Sequence, residues 1–295
     1  MKSLLIVGCG DVATRALPLL GKTFQISALA RSGPDIVRLR ELGVSAVGAD
    51  LDRPGSLAGI DFDVDCLLHS APPPGSGAGD TRTANLIAAL EGAKKNGAMV
   101  PRRIVYLSTS GVYGDCAGAW VDEAHRVNPQ TPRAQRRVHA EQALQAWAGE
   151  RAAGLAILRV PGIYAANRLP LERLRAGTPV LRAEDDVYSN HIHAEDLVAI
   201  IAAALLREDA AGIFNASDDT EMKMGDYFDL VALRHGLPRP SRIARDEAAA
   251  RVSADLLSFW GESRRLHNRR IKEELAVQFR YPTVREGVPS MAGMH

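Results

Sequence analysis

A chain of 295 residues with a net charge of +1 can build one large or two modest domains, and it has no charge excess pointing to nucleic acid or an anionic membrane. Its 46% hydrophobic and 24% charged residues are ordinary for a soluble globular protein, and no apolar run approaches the roughly 20 residues of a membrane span. The opening "MKSLLIVGCG" breaks at glycine too early for a signal-peptide core, and Cys9, Cys66 and Cys116 match no metal or redox spacing. Reduced thiols, a cytoplasmic location and no metal site are therefore expected.

Short apolar runs alternate with helical patterns through the first half. Strands are expected at 3–7, 24–31, 44–50, 64–70, 102–108 and 155–160. Helices are expected at about 11–20, 34–42 and 80–96, and again over "TPRAQRRVHAEQAL", residues 131–144. This alternation predicts an α/β fold, a Rossmann-type doubly wound parallel sheet with helices on both faces. Beyond about residue 161 the pattern changes. Residues 188–206 read as a loop entering a helix, with Asp196 in its first turns, where a carboxylate is favourable. "GIFNAS", 212–217, reads as a late strand returning to the sheet, and the charged remainder reads as helical with a loosely held tail at 287–295. The expected division is a nucleotide-binding domain over 1–165 and a smaller C-terminal substrate lobe over 166–295, with a cleft between them.

"IVGCGDVATRAL" places Gly8, Gly10 and Ala13 in G-x-G-x-x-A spacing between the first strand and first helix. Gly8 suits a tight turn, Gly10 lets backbone approach a pyrophosphate, and Ala13 allows close helix–strand packing. The helix N-terminus at Asp11, Val12 and Ala13 adds donors and positive potential. An NAD-selective site usually ends its second strand with an acid that meets the ribose 2′-hydroxyl. Here Arg31 and Ser32 stand there, and a cation suits a 2′-phosphate, so NADP is expected over NAD. Asp50 and Leu51 are expected near adenine. Ser70, Ala71 and Pro72 of "HSAPPPG" are expected as a close wall beside the adenosine or pyrophosphate.

"STSGVYGD" (108–115), "LRVPGIYA" (158–165) and "HIHAEDLV" (191–198) resemble, in order and spacing, the extended short-chain dehydrogenase/reductase family, which includes nucleotide-sugar epimerases and dehydratases. "SAPPPG", "TPRAQRRVHAEQAL" and "RRIKEELAVQFRYPTVREG" resemble an atypical branch of it. The resemblance implies a Ser or Thr four residues before the "VYG" tyrosine, here Thr109 with Ser110 beside it. It also implies a Tyr and a Lys four residues apart on the following helix. The phenol would move a proton while hydride moves at the nicotinamide, and the lysine would hold the ribose and lower the phenol pKa.

Arg133 and Arg137 occupy those two positions. Arg137 can still donate to the cofactor ribose. Arg133 cannot replace a phenol, because a pKa above ~12 keeps it protonated. Tyr164 and His191 are expected near substrate, Tyr113 and His193 as structural residues, and Arg159 as an anchor of the sixth strand. Three arginines on one helix suit carboxylate or phosphate recognition, or salt bridges to Asp115, Asp122, Glu123 or Glu141. Two functions follow. One is an NADP-dependent oxidoreductase or epimerase/dehydratase-like enzyme with a degenerate site, acting on a small polar or anionic substrate, nucleotide sugars included. The other is a non-catalytic NADP-binding sensor or assembly protein. The resemblance also implies a homodimer packed through the helix at 80–96 and the arginine helix.

Overall fold

The computed structural model describes residues 1–290. Seven parallel strands make one sheet: β1 (Lys2–Val7), β2 (Phe24–Ala30), β3 (Ser45–Gly48), β4 (Cys66–His69), β5 (Arg103–Thr109), β6 (Gly154–Val160) and β7 (Gly212–Asn215). Their order across the sheet is β7-β6-β5-β4-β1-β2-β3. Each lies within a run expected from the sequence, give or take a terminal residue.

The pleat of β1 shows why these runs are continuously apolar. Leu4 and Ile6 enter the core on one face, while Leu5 and Val7 enter the core on the other. A strand buried on both faces loses the polar alternation of a half-exposed one. Helices α1 (Asp11–Leu20) and α2 (Gly33–Glu41) cover the first face, and α3 (Thr81–Lys95) and α4 (Pro132–Gly149) cover the second. Helix α5 (Ala194–Leu206) returns to the first face and packs on α1, burying Ile200, Ile201 and Leu205. Strand order reverses between β1 and β4, so the crevice beyond their carboxyl ends is the topological switch point where this fold takes ligands.

The chain after β6 also builds two small cores of its own. Tyr164, Leu174, Tyr227 and Phe228 join Val231 of α6 (Met224–Arg234), and Leu181, Ile243, Leu256 and Trp260 form the second. The sequence suggested loop and helix there, but four two-stranded ladders are present. They pair Tyr188–Ser189 with Met222–Lys223, His191–His193 with Gly162–Tyr164, Arg242–Ile243 with Val180–Leu181, and Arg265–Leu266 with Trp120–Val121. Strands of two or three residues are too short to carry a readable period, and their partners lie far away in sequence. Gly287 and Val288, which the sequence placed in a loosely held tail, are instead buried. The part of that tail at 291–295 lies outside the described residues. Cys9, Cys66 and Cys116 are unpaired thiols. Among the described residues no helix is long and apolar enough to cross a membrane.

Candidate functional site

The switch-point crevice, about 260 Å³, is lined by residues from the glycine loop and from the ends of β2 and β4. Gly8 has φ +94°, and a Cβ there would sit 2.5 Å from the Ala71 Cα. The turn and the close approach therefore both demand glycine. Gly10 has nothing within 4 Å of where its Cβ would be, so its face is open. No side chain caps α1, whose first N–H groups remain available to an anion. Ala13 is buried against the sheet. These features fit a pyrophosphate, and a nicotinamide dinucleotide bound here would supply a hydride donor or acceptor.

Ser70 Oγ donates to the Gly8 carbonyl at 2.6 Å, and Ser70, Ala71 and Pro72 form one wall of the crevice. Asp50 and Leu51 form another. Arg31 lines the crevice, is exposed, and among the described residues has no hydrogen bond or ion pair. Ser32 is committed elsewhere: its hydroxyl caps α2 through the Asp35 N–H and lies outside the lining. Asp11 is also committed. It bonds Arg15 at 3.1 Å and Arg168 at 2.7 Å, and Arg15 reaches Asn167, tying the glycine loop to the 166–168 turn. The sequence carried no sign of Arg38, which donates to the Cys9 carbonyl and joins the same lining.

A second cavity, about 730 Å³, opens over the carboxyl ends of β5 and β6. Thr109, Ser110, Arg133, Arg137, Tyr164 and His191, all expected from sequence, are brought together in its wall. Tyr188, Arg168, Arg173, Tyr227, Phe259 and Arg264 complete it, and no motif marked them.

The arginine helix resolves residue by residue. Arg136 is buried and donates to the Gly77 and Gly75 carbonyls, pinning the proline-rich loop. Arg137 donates to the Tyr106 hydroxyl at 3.0 Å and to the Leu107 carbonyl at 2.6 Å, fastening α4 to β5 through one terminal nitrogen. Arg133 is exposed, with its guanidinium 4.7 Å from the Phe259 ring centre. Among the described residues none of the three is ion-paired to a carboxylate, so the suggested bridges to Asp115, Asp122, Glu123 and Glu141 are absent. Glu141 is instead taken by Arg159 at 2.7 Å, both side chains being 4% exposed.

That pair belongs to a buried belt beneath the cavity. Ser108 of β5, Arg159 of β6 and Asn215 of β7 share one rung of the sheet. Ser108 Oγ donates to Glu141, Arg159 lies over the Tyr113 ring, and Tyr113 donates to Asn215 Oδ1 at 2.8 Å. Burial pushes the Tyr113 phenol up to about 12, which suits a structural residue and not an acid–base group at neutral pH.

His193 caps α5, accepting the Glu195 N–H at Nδ1, while Asp196 accepts the Arg280 and Tyr281 N–H groups. Tyr164 donates to the Thr283 carbonyl, and burial raises its pKa above the ordinary phenol value. His191 Nε2 is 2.9 Å from Ser189 Oγ, and its ring rests 4.3 Å from Tyr227. Burial holds His191 and His69 down at about 4 and lifts Asp218 to about 7. The histidines are neutral in the fold and take up protons on unfolding between about pH 4 and 6.5. Acid therefore removes stability across that window, by up to about 3 kcal/mol for each. Asp218 acts in the opposite direction, binding its proton more tightly in the fold up to about 7. Asp218→Asn, which keeps the acceptor for the Thr220 N–H, is expected to raise the melting temperature at pH 8 by several degrees and to steepen the acid limb. Melts identical to the parent at pH 5 and pH 8 would show that this buried charge does not matter.

A family model for the NAD dependent epimerase/dehydratase family matches residues 18–217. The chain belongs to that family. A functionally unknown conserved protein from Silicibacter pomeroyi DSS is 31% identical, with a TM-score of 0.80 over 98% of this chain and 97% of its own. UDP-glucose 4-epimerase from Thermotoga maritima shares 15% identity at TM-score 0.77, covering 97% and 96%. dTDP-glucose 4,6-dehydratase from Bacillus anthracis, solved with NAD, shares 14% at 0.75, covering 98% and 94%. No curated protein matches the chain. These epimerase and dehydratase neighbours share the extended short-chain dehydrogenase/reductase fold of this chain.

Proposed function

We propose that this family member binds NADP in the switch-point crevice and acts as an oxidoreductase or epimerase/dehydratase-like enzyme on a small anionic substrate. The observation that carries the cofactor choice is Arg31, an unpaired guanidinium at the end of β2 where a 2′-hydroxyl reader would be acidic. The Gly8 turn and the uncapped start of α1 support the pyrophosphate position. Thr109 would polarise a substrate oxygen. The N–H groups of Arg137 not used on Tyr106 and Leu107 would hold the ribose. Ser110, Tyr164 and His191 would contact substrate. A nucleotide sugar is the class named for the Thermotoga neighbour's ligand.

A second reading, an NADP-binding sensor or assembly protein without turnover, is favoured by one specific observation. The position that would move the proton and the one that would tune it both carry arginine, and Arg133, at the first, never releases its proton at working pH. The experiment is to incubate the purified protein with NADPH and a panel of aldehydes and ketones, and with NADP and a panel of nucleotide sugars. Either NADPH oxidation in the first panel or an epimerised or dehydrated sugar in the second, where the cofactor is recycled with no net change, is expected. Tight NADPH binding with neither product would move the assignment to the second reading.

A further inference from the structure

We infer that Arg133 reads a carboxylate on the substrate, so that the second cavity takes an acid and not the neutral sugar ring. This deepens the reading of that cavity as a substrate site and rests on it. Five arginines line the cavity, and three of them are committed. Arg137 is held by Tyr106 and Leu107, Arg168 by Asp11, and Arg264 by the Gly114 carbonyl and Glu262. Among the described residues Arg133 and Arg173 have no carboxylate partner. Arg133 stands in the first turn of an 18-residue helix, lines the same cavity as Thr109 and Ser110, and has its guanidinium over the Phe259 ring. The aromatic face favours the charged guanidinium, and the positive end of the helix dipole adds to its pull on an anion bound there.

The neighbouring backbone decides between carboxylate and phosphate. A phosphate site in this fold is built from several free N–H groups. Around Arg133 few are left: Gly111 N–H goes to Thr109 Oγ1, Ala134 N–H to Thr131 Oγ1, and Pro132 has none, which leaves the N–H of Arg133 itself. With it remain one planar fork and two hydroxyls. That fork matches a carboxylate bidentately. Arg173, on the segment Leu171–Arg175 in another part of the wall, is left for a second anionic group on a larger substrate.

The test is calorimetric titration of the full chain, with and without saturating NADPH. The probes are pyruvate, 2-oxoglutarate, D-glucuronate and UDP-glucuronate, each against its neutral counterpart (the corresponding amide, or UDP-glucose). At least one acid is expected to bind ten-fold or more tightly than its neutral counterpart. Arg133→Gln is expected to remove that preference, and Arg133→Lys to keep part of it. NADPH affinity, measured in parallel, serves as the control for folding. If no acid binds better than its neutral counterpart, or if Arg133→Gln keeps the full preference, the inference is overturned. A carboxylate preference that persists where NADPH fails to bind would leave this inference standing and remove the cofactor proposal.

Discussion

Gly8→Ala is expected to cost ~3 kcal/mol, lowering the melting temperature by roughly 5–10 °C, and to abolish dinucleotide binding. Two penalties add at this position. The backbone sits at φ +94°, where a side chain is strained, and the new Cβ would press into the Ala71 backbone. Ala71 cannot retreat, because its N–H is bonded to the Val7 carbonyl. Gly10→Ala is the matched control. Nothing lies within 4 Å of its Cβ, so it should melt like the parent while blocking the approach of a pyrophosphate. Melting curves and NADPH titrations of the two variants separate the roles. If Gly8→Ala melts with the parent, the close approach of the loop to β4's end is not real.

Glu141→Gln is expected to cost about 3–5 kcal/mol, because it strands the Arg159 guanidinium in a nearly dry site. Both side chains are 4% exposed, so water cannot take over the lost partner. The effect should spread, since Arg159 also supports Tyr113 and the rung shared by Ser108 and Asn215. Replacing the pair together, Glu141→Leu with Arg159→Met, is expected to regain much of the loss, as removal of a whole buried pair often does. Thermal unfolding of the single and double variants tests this. A single variant within 1 °C of the parent would contradict it.

The sheet was legible in the sequence because strands covered on both faces are short, unbroken apolar runs. The glycine loop was legible because close packing leaves residue-type demands at fixed spacing. Arg137 was placed by lying four residues before Glu141 of "AEQ" and Arg133 by lying four before Arg137, and both line the cavity. Their partners were not legible. The sequence offered four nearby acids, but Glu141 points one helical face away, toward Arg159, and Arg137 turns to a hydroxyl and a carbonyl of β5. Local spacing shows which groups share a helix, not what a sheet 100 residues wide in sequence will bring beneath it. The far wall illustrates this best: Tyr188, Arg173, Tyr227 and Arg264 come from separate segments joined by two-residue ladders. Ser32 shows the converse, a plausible ligand that its own helix consumes as a cap.

In the proposed complex the switch-point crevice holds NADP through Arg31. The most direct measurement is calorimetric titration of NADPH and NADH into the parent chain and Arg31→Asp. The parent is expected to bind NADPH at least ten-fold more tightly than NADH, a charge-assisted pair to a phosphate contributing about 1.5–3 kcal/mol. Arg31→Asp is expected to reverse or erase that preference. Unchanged NADPH affinity in Arg31→Asp would contradict the NADP assignment, and a parent chain that binds neither dinucleotide would contradict the cofactor site itself.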